Sequence, residues 1–382
     1  MTVASDDLVQ RVRRRLVDES QSASPGRIAA ALRAEGVVLG DSELLPLVQH
    51  LHETIAGLGP LAPLFADATV TDVVVNGFDS IWVDRGAGLE RVDVTFRDDV
   101  EVREFARRLA DRAGRRLDDA HPWVDARLPE GIRLHAVLQP IAVGSTLLSL
   151  RVPARTTFGL NDLVELGTVD RIGARWLRSI VRARLSFVVS GGTGSGKTTV
   201  LAALLALVAP SERLVICEDT AELNPTHPHV VRLEAREANV EGAGAITLRD
   251  LVRQSLRMRP DRLIVGETRG VEVVDLLAAL NTGHEGGAAT VHANSADDVP
   301  SRLEALALMA GLPRAAIHGQ LAAGFAVAIH LERRGSQRVV ESVDVFQRLP
   351  NGDVVTERAL VRVDTTYQAG SAFPTLRSLV GA

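Results

Sequence analysis

Apolar positions along the first 57 residues recur at intervals of three and four: Leu8, Val12 and Leu16, then Ile28, Ala31 and Leu32, then Leu44, Leu47, Val48, Leu51 and Ile55. Each set falls on one face of a helix. Ser24-Pro25-Gly26 separates the first from the second, and Gly57-Leu58-Gly59-Pro60 closes a helical N-terminal segment over 1–57. From there the rhythm shortens. The stretches 70–76, 80–85 and 90–96 are rich in β-branched residues and separated by glycine turns, which predicts short strands. A helix over 98–112 and strands over 131–139 and 146–152 complete an expected α+β domain at 58–152, followed by a linker at 153–160.

Beyond residue 160 the order is strand, loop, helix. An apolar run at 185–190 leads into a glycine loop, and a helix is expected over 198–208. Further apolar strands at 214–217 and 263–265 carry no polar alternation, the pattern of a parallel sheet covered on both faces. The fold class is therefore α/β, with a domain over 161–364. Helices are expected to about 324, and the strands 339–346 and 354–361 flank Pro350-Asn351-Gly352, a hairpin signal. Residues 365–382 read as a flexible tail.

Composition narrows the class. With 382 residues, two or three domains are expected. Hydrophobic content of 46% and charged content of 24% describe a soluble globular protein. Aromatics at 3% and a net charge of −5 argue against a nucleic-acid groove lined by stacking rings. Cys217 stands alone, which removes a disulfide framework and a cysteine-based zinc site; within 215–217 it reads as a packed thiol. No run reaches the ~18–20 apolar residues of a membrane span. The first seven residues lack a basic, then apolar, leader. A cytoplasmic location is expected, with membrane contact through partners.

Lys+Arg total 43, yet Lys197 is the only lysine. It stands in Gly191-Gly192-Thr193-Gly194-Ser195-Gly196-Lys197-Thr198, followed by Thr199. A phosphate cradle suits a compact ammonium on a flexible stem better than a planar guanidinium. G-x-x-x-x-G-K-T places backbone N–H groups around the α/β-phosphates, Lys197 at the β/γ-phosphates and the Thr198 hydroxyl on Mg²⁺. With a strand before it and a helix after it, the motif predicts a nucleoside triphosphate and Mg²⁺ as ligands.

Three further clusters carry candidate chemistry. Glu218-Asp219-Thr220-Ala221-Glu222 follows the 214–217 strand, and carboxyl ends of strands are where ligands bind in open sheets. These carboxylates could hold Mg²⁺ or orient water; a plainer reading has Asp219 or Thr220 capping a short helix with Glu222. Asp261-Arg262-Leu263-Ile264-Val265-Gly266-Glu267 ends an apolar strand in a glutamate suited to activate water. Many ATPases have Asp-Glu where this chain has Gly266-Glu267, which leaves Glu218 and Asp219 as candidates for the metal. His284 and His292, in Thr282-Gly283-His284-Glu285-Gly286-Gly287 and Thr290-Val291-His292-Ala293-Asn294, could sense the γ-phosphate; for a lone histidine a structural role is the plainer reading. No zinc set is formed. Arg249, Arg253 and Arg257 share a helix face that reads as solvated. Arg133 and Arg151, on strands of the 58–152 domain, are candidates for stabilising a transferring phosphoryl group.

Together these elements resemble the secretion ATPases of the type II/type IV superfamily, most of all the Flp/Tad pilus-assembly group (TadA/CpaF), including actinobacterial members associated with conjugal transfer. The resemblance rests on Walker A at 191–198, an acidic box at 218–223, a Walker B region at 259–270 and a His box at 282–294. Leu58-Gly59-Pro60-Leu61, 71–77 and Gly131-Ile132-Arg133 extend it to roughly 45–345. It implies a RecA-like P-loop domain behind an α+β domain, with ATP between them, in a homo-hexameric motor that serves an inner-membrane pilus or secretion platform. It further implies that Glu267 activates water, that His292 is the His-box residue, and that Arg133 and Arg151 approach the γ-phosphate. The rival readings are a DNA-translocating conjugation motor, disfavoured by charge and aromatic content, and a non-hydrolysing nucleotide switch, disfavoured by Glu267.

Overall fold

In the computed structural model the described residues are 11–12, 15, 25–37, 40, 44–48, 57–153, 157–236, 238, 243–335 and 337–381. They divide into two compact units, Met1–Arg155 and Thr156–Ala382.

In the first unit, helix α1 (Pro25–Ala34) buries Ile28, Ala31 and Leu32 with Val12, Leu44 and Val48. It is the second of the three helices expected in 1–57; most of the other two lies outside the described residues. A short turn at Gly59–Leu61 leads into α2 (Ala62–Ala66). The strands β1 (Asp72–Val75), β2 (Ile81–Asp84) and β3 (Leu89–Arg91), helix α3 (Asp99–Arg112), and β4 (Trp123–Arg127), β5 (Arg133–Val137) and β6 (Leu147–Arg151) follow. The sheet is antiparallel in the order β3-β2-β1-β6-β5-β4. Asp98 starts α3 by accepting the Glu101 N–H, a side-chain cap. The helix lays Val102, Phe105, Ala106 and Leu109 on alternate strand residues such as Val73, Ile81, Leu134 and Leu150. β4 was not expected from the sequence.

The second unit opens with α4 (Leu160–Glu165), α5 (Arg171–Arg182), β7 (Phe187–Gly191), α6 (Lys197–Leu205), β8 (Leu214–Glu218), β9 (Val230–Glu234) and α7 (Leu248–Ser255). It continues through β10 (Arg262–Thr268), α8 (Glu272–Leu280), β11 (Ala288–Val291), α9 (Val299–Leu308), α10 (Arg314–Gly324), β12 (Val327–Arg334), β13 (Gln337–Arg348), β14 (Val354–Val363), β15 (Thr366–Ala369) and α11 (Phe373–Leu379). The sheet order is β15-β14-β13-β12-β7-β11-β10-β8-β9. Strands β12 to β9 in that list pair in parallel, and β13, β14 and β15 extend the sheet antiparallel. Alternate residues feed two cores. Val189, Ile216 and Ile264 meet α5 and α6 on one face, whereas Val188, Cys217, Leu263 and Val265 meet α7, α8, α9 and α10 on the other. The Cys217 thiol is fully buried, and burial pushes its pKa up to about 12.

Two expectations are corrected. The residues from 365 onward do not form a flexible tail. β15 pairs with β14, and Tyr367, Ala372 and Leu376 are buried in the main core. The Tyr367 hydroxyl, inside that core, donates to the Val340 carbonyl. The arginine face of α7 is not simply solvated: Arg249 and Arg253 each donate from Nε to one oxygen of Asp275 on α8, both at 2.7 Å.

Candidate nucleotide site

The phosphate loop joins the end of β7 to the start of α6, at the carboxyl edge of the parallel strands. Its glycines have local reasons. Gly194 and Gly196 adopt φ of +70° and +92°, values costly for a residue with a Cβ. A Cβ on Gly191 would sit 2.5 Å from the Leu331 carbonyl oxygen. Gly196 caps α6 with no side chain, so the first N–H groups of the helix are left to other acceptors. An open, positively polarised helix start of this kind takes anions. Ser195 Oγ donates to the Gly192 carbonyl at 2.9 Å and braces the loop from within.

Lys197 is 8% exposed. Its ammonium donates to the carbonyls of Gly191 (3.0 Å) and Gly192 (2.8 Å) and lies 3.4 Å from His292 Nδ1. Burial lowers its pKa, and the nearby Glu267 charge opposes that shift. His292 Nε2 in turn lies 2.6 Å from Glu267 Oε1. With Nδ1 facing an ammonium, the ring proton is assigned to Nε2, which donates to the carboxylate. Lys197 at the start of α6, His292 just past β11 and Glu267 on β10 thus form one connected line. The register between β10 and β11 shifts between Val265 and Thr268, an irregularity that re-aims side chains. Thr290 Oγ1 donates to the Gly266 carbonyl at 2.7 Å and Thr268 Oγ1 to the Thr290 carbonyl at 2.8 Å, pinning that irregularity.

The acidic box is arranged differently from its plainer sequence reading. No helix forms after β8. Instead Glu218 Oε1 accepts the N–H groups of Glu222 (3.0 Å) and Leu223 (2.9 Å). Its Oε2 is buried and finds no hydrogen-bond partner among the described residues. Burial raises the Glu218 pKa to about 7, against the lowering effect of the two N–H bonds. A Cβ on Gly266 would come 2.5 Å from Glu218 Cγ and 2.9 Å from its Oε1. Glycine precedes Glu267 because the neighbouring glutamate fills that space. Asp219 pairs with Arg269 just past β10, Oδ2 to Nε at 2.8 Å.

The remaining candidates separate. His284 sits between two turns, its Nδ1 lying 3.3 Å from the Ala279 carbonyl. Thr198 and Thr199 lie in the first turn of α6, each partly exposed. Arg133 and Arg151 face each other in register on β5 and β6 of the first unit, both exposed, with Arg127 of β4 opposite Arg133. Sequence reasoning missed Arg269, and also Arg338, whose Nε donates to the Gly194 carbonyl at 3.0 Å.

The loop fits a polyphosphate by its own geometry: an uncapped helix start, two left-handed glycines and one buried ammonium. Among the described residues no group of three or more His, Cys, Asp or Glu is gathered as a metal site. Mg²⁺ carried on a triphosphate needs only one or two protein groups, and the Thr198 hydroxyl with the unpartnered Glu218 oxygen suits that donor chemistry.

Residues 54–360 match the family described as Type II/IV secretion system protein. The chain belongs to this family. A putative conjugal transfer protein of Mycobacterium tuberculosis is 54% identical over 312 residues, 80% of this chain and 89% of that protein. The type IV secretion system protein PtlH of Bordetella pertussis is 30% identical, over 76% of this chain and 94% of its own length. The crystal structure of the pilus retraction motor PilT with bound ADP is 17% identical with a TM-score of 0.52, covering 83% of this chain and 85% of that one; it supports the fold. The secretion-family fold, an N-terminal domain followed by a RecA-like domain, is the one expected from the motifs. Among the described residues no helix is long and apolar enough to cross a membrane.

Proposed function

We propose that this secretion-family protein hydrolyses Mg²⁺–ATP and works as a homo-hexameric motor for an inner-membrane pilus or secretion platform. The observation that carries the reading is the Lys197–His292–Glu267 line at the mouth of the phosphate loop. It sets a phosphate-binding ammonium and a candidate base at the two ends of one imidazole. Bound Mg²⁺ would neutralise charge on the β- and γ-phosphates, with Thr198 and Glu218 of the acidic box as the groups that would hold it. Glu267 accepts a proton from water and His292 fixes its carboxylate orientation. When the γ-phosphate draws the Lys197 ammonium, the same imidazole reports that shift to Glu267. Asp219, tied to Arg269, shapes the edge of the site. The guanidinium groups that phosphoryl transfer draws on are assigned to Arg133 and Arg151 of the first unit.

The test separates binding from turnover. Glu267→Gln should keep affinity for ATP and lose at least about 100-fold in kcat, the scale of a lost general base. Lys197→Ala should lose binding itself. Wild-type turnover in Glu267→Gln would remove Glu267 from the role of base.

A further inference from the structure

The β12–β13 hairpin lies against the phosphate loop from outside, and none of the four nucleotide motifs includes it. Leu331 of β12 is in parallel register with Gly191 of β7. Two residues on, Arg333 stands opposite Arg338 across the hairpin. Both reach the loop. A Cβ on Gly194 would meet Arg333 Nη1 at 3.7 Å, and one on Gly196 would meet Arg338 Cδ at 3.2 Å. Arg338 makes the directed contact, from Nε to the Gly194 carbonyl oxygen at 3.0 Å.

That contact has a consequence on the other side of the peptide. In a trans peptide the C=O and the following N–H point in opposite directions. A guanidinium that draws the Gly194 carbonyl outward turns the Ser195 N–H inward, where successive backbone N–H groups form an anion cradle. Among the described residues that N–H makes only a long 3.4 Å contact, to the Gly192 carbonyl. Arginine suits the outer position. Its Nε–H lies in a rigid plane and stays charged, so the bond it gives a carbonyl is directional and strong.

We infer that Arg338 is a positioning residue of the nucleotide site, holding the Gly194–Ser195 peptide in its phosphate-facing orientation. The inference rests on the nucleotide reading above. The experiment uses the full chain, with affinity for a fluorescent ADP analogue and amide hydrogen exchange over 191–198 without nucleotide as readouts. Arg338→Ala should weaken binding about 10-fold, the worth of one charge-assisted hydrogen bond, and speed exchange within the loop. Arg338→Lys should recover part of the affinity, because an ammonium can still donate to the carbonyl. Arg334→Ala removes a hairpin arginine that pairs with Glu341 and Glu332, and should leave both readouts at wild-type values.

Wild-type affinity and exchange in Arg338→Ala would overturn the inference. So would an equal loss in Arg334→Ala, which would assign the effect to the hairpin as a whole. If Arg338→Ala lowers the unfolding midpoint, Arg338→Gln decides, with the same expectation for loop exchange measured relative to the sheet strands. A wild-type protein that binds no nucleotide overturns the nucleotide reading itself, and this inference with it.

Discussion

Glu218 shows how one carboxyl can serve shape and charge together. It fills the space over Gly266, caps two backbone N–H groups with one oxygen, and keeps the other unpartnered. Its pKa rises from 4.5 to about 7 on burial, so between those values the native state holds more protons than the unfolded chain. Stability from this group is therefore lost as pH rises through that window, up to about 3 kcal/mol. Glu218→Gln keeps the shape and removes the titration. Urea unfolding should show the variant gaining on wild type from pH 5 to pH 8; parallel curves would show that Glu218 does not titrate there. Gly266→Ala should destabilise by about 1–3 kcal/mol, because the new methyl overlaps Glu218. The sequence singled out Lys197 and Glu267, since each sits in a linear motif beside a strand, and the structure connects them through His292. It left Glu218 and Asp219 open, and only the packing across β8 and β10 separates them: Glu218 packs against Gly266, and Asp219 binds Arg269.

At the scale of elements, legibility followed burial. β7, β8 and β10 are apolar runs with glycine or acidic ends and were expected close to where they lie. β12 was missed because its apolar residues follow α10 almost directly, and a short apolar run does not reveal its period. β4 was missed because its exposed face carries Trp123, which blurs the alternation. The C-terminal strand was missed for a different reason: its contribution is concentrated in one aromatic, Tyr367, whose ring lies where a Cβ on Gly173 would come within 2.7 Å of it. Tyr367→Ala should cost about 3–5 kcal/mol, the range for deleting a buried aromatic, measured by chemical denaturation. A loss below about 1 kcal/mol would return the segment to the status of an appendage. Asp275→Ala, which leaves Arg249 and Arg253 without their shared acceptor, should have a smaller effect, because both guanidinium groups are partly exposed.

For the whole molecule, the proposed ring gives a prediction that no monomer shares. Turnover per subunit should rise with protein concentration as subunits assemble, in step with light scattering; a flat profile with monomeric mass would remove the hexamer. Duplex or single-stranded DNA should not stimulate turnover at low salt, where electrostatic binding is strongest. Arg133→Ala and Arg151→Ala should each lower kcat while leaving nucleotide affinity within about twofold. The single lysine carries a consequence for chemistry on the intact protein. Amine-directed acylating reagents have one side-chain target, and its ammonium is gripped by the carbonyls of Gly191 and Gly192. Derivatisation at that one side-chain amine becomes a direct gauge of the cradle: slow when a phosphate chain covers it, faster when the loop opens, and readable by mass on the peptide that contains Lys197.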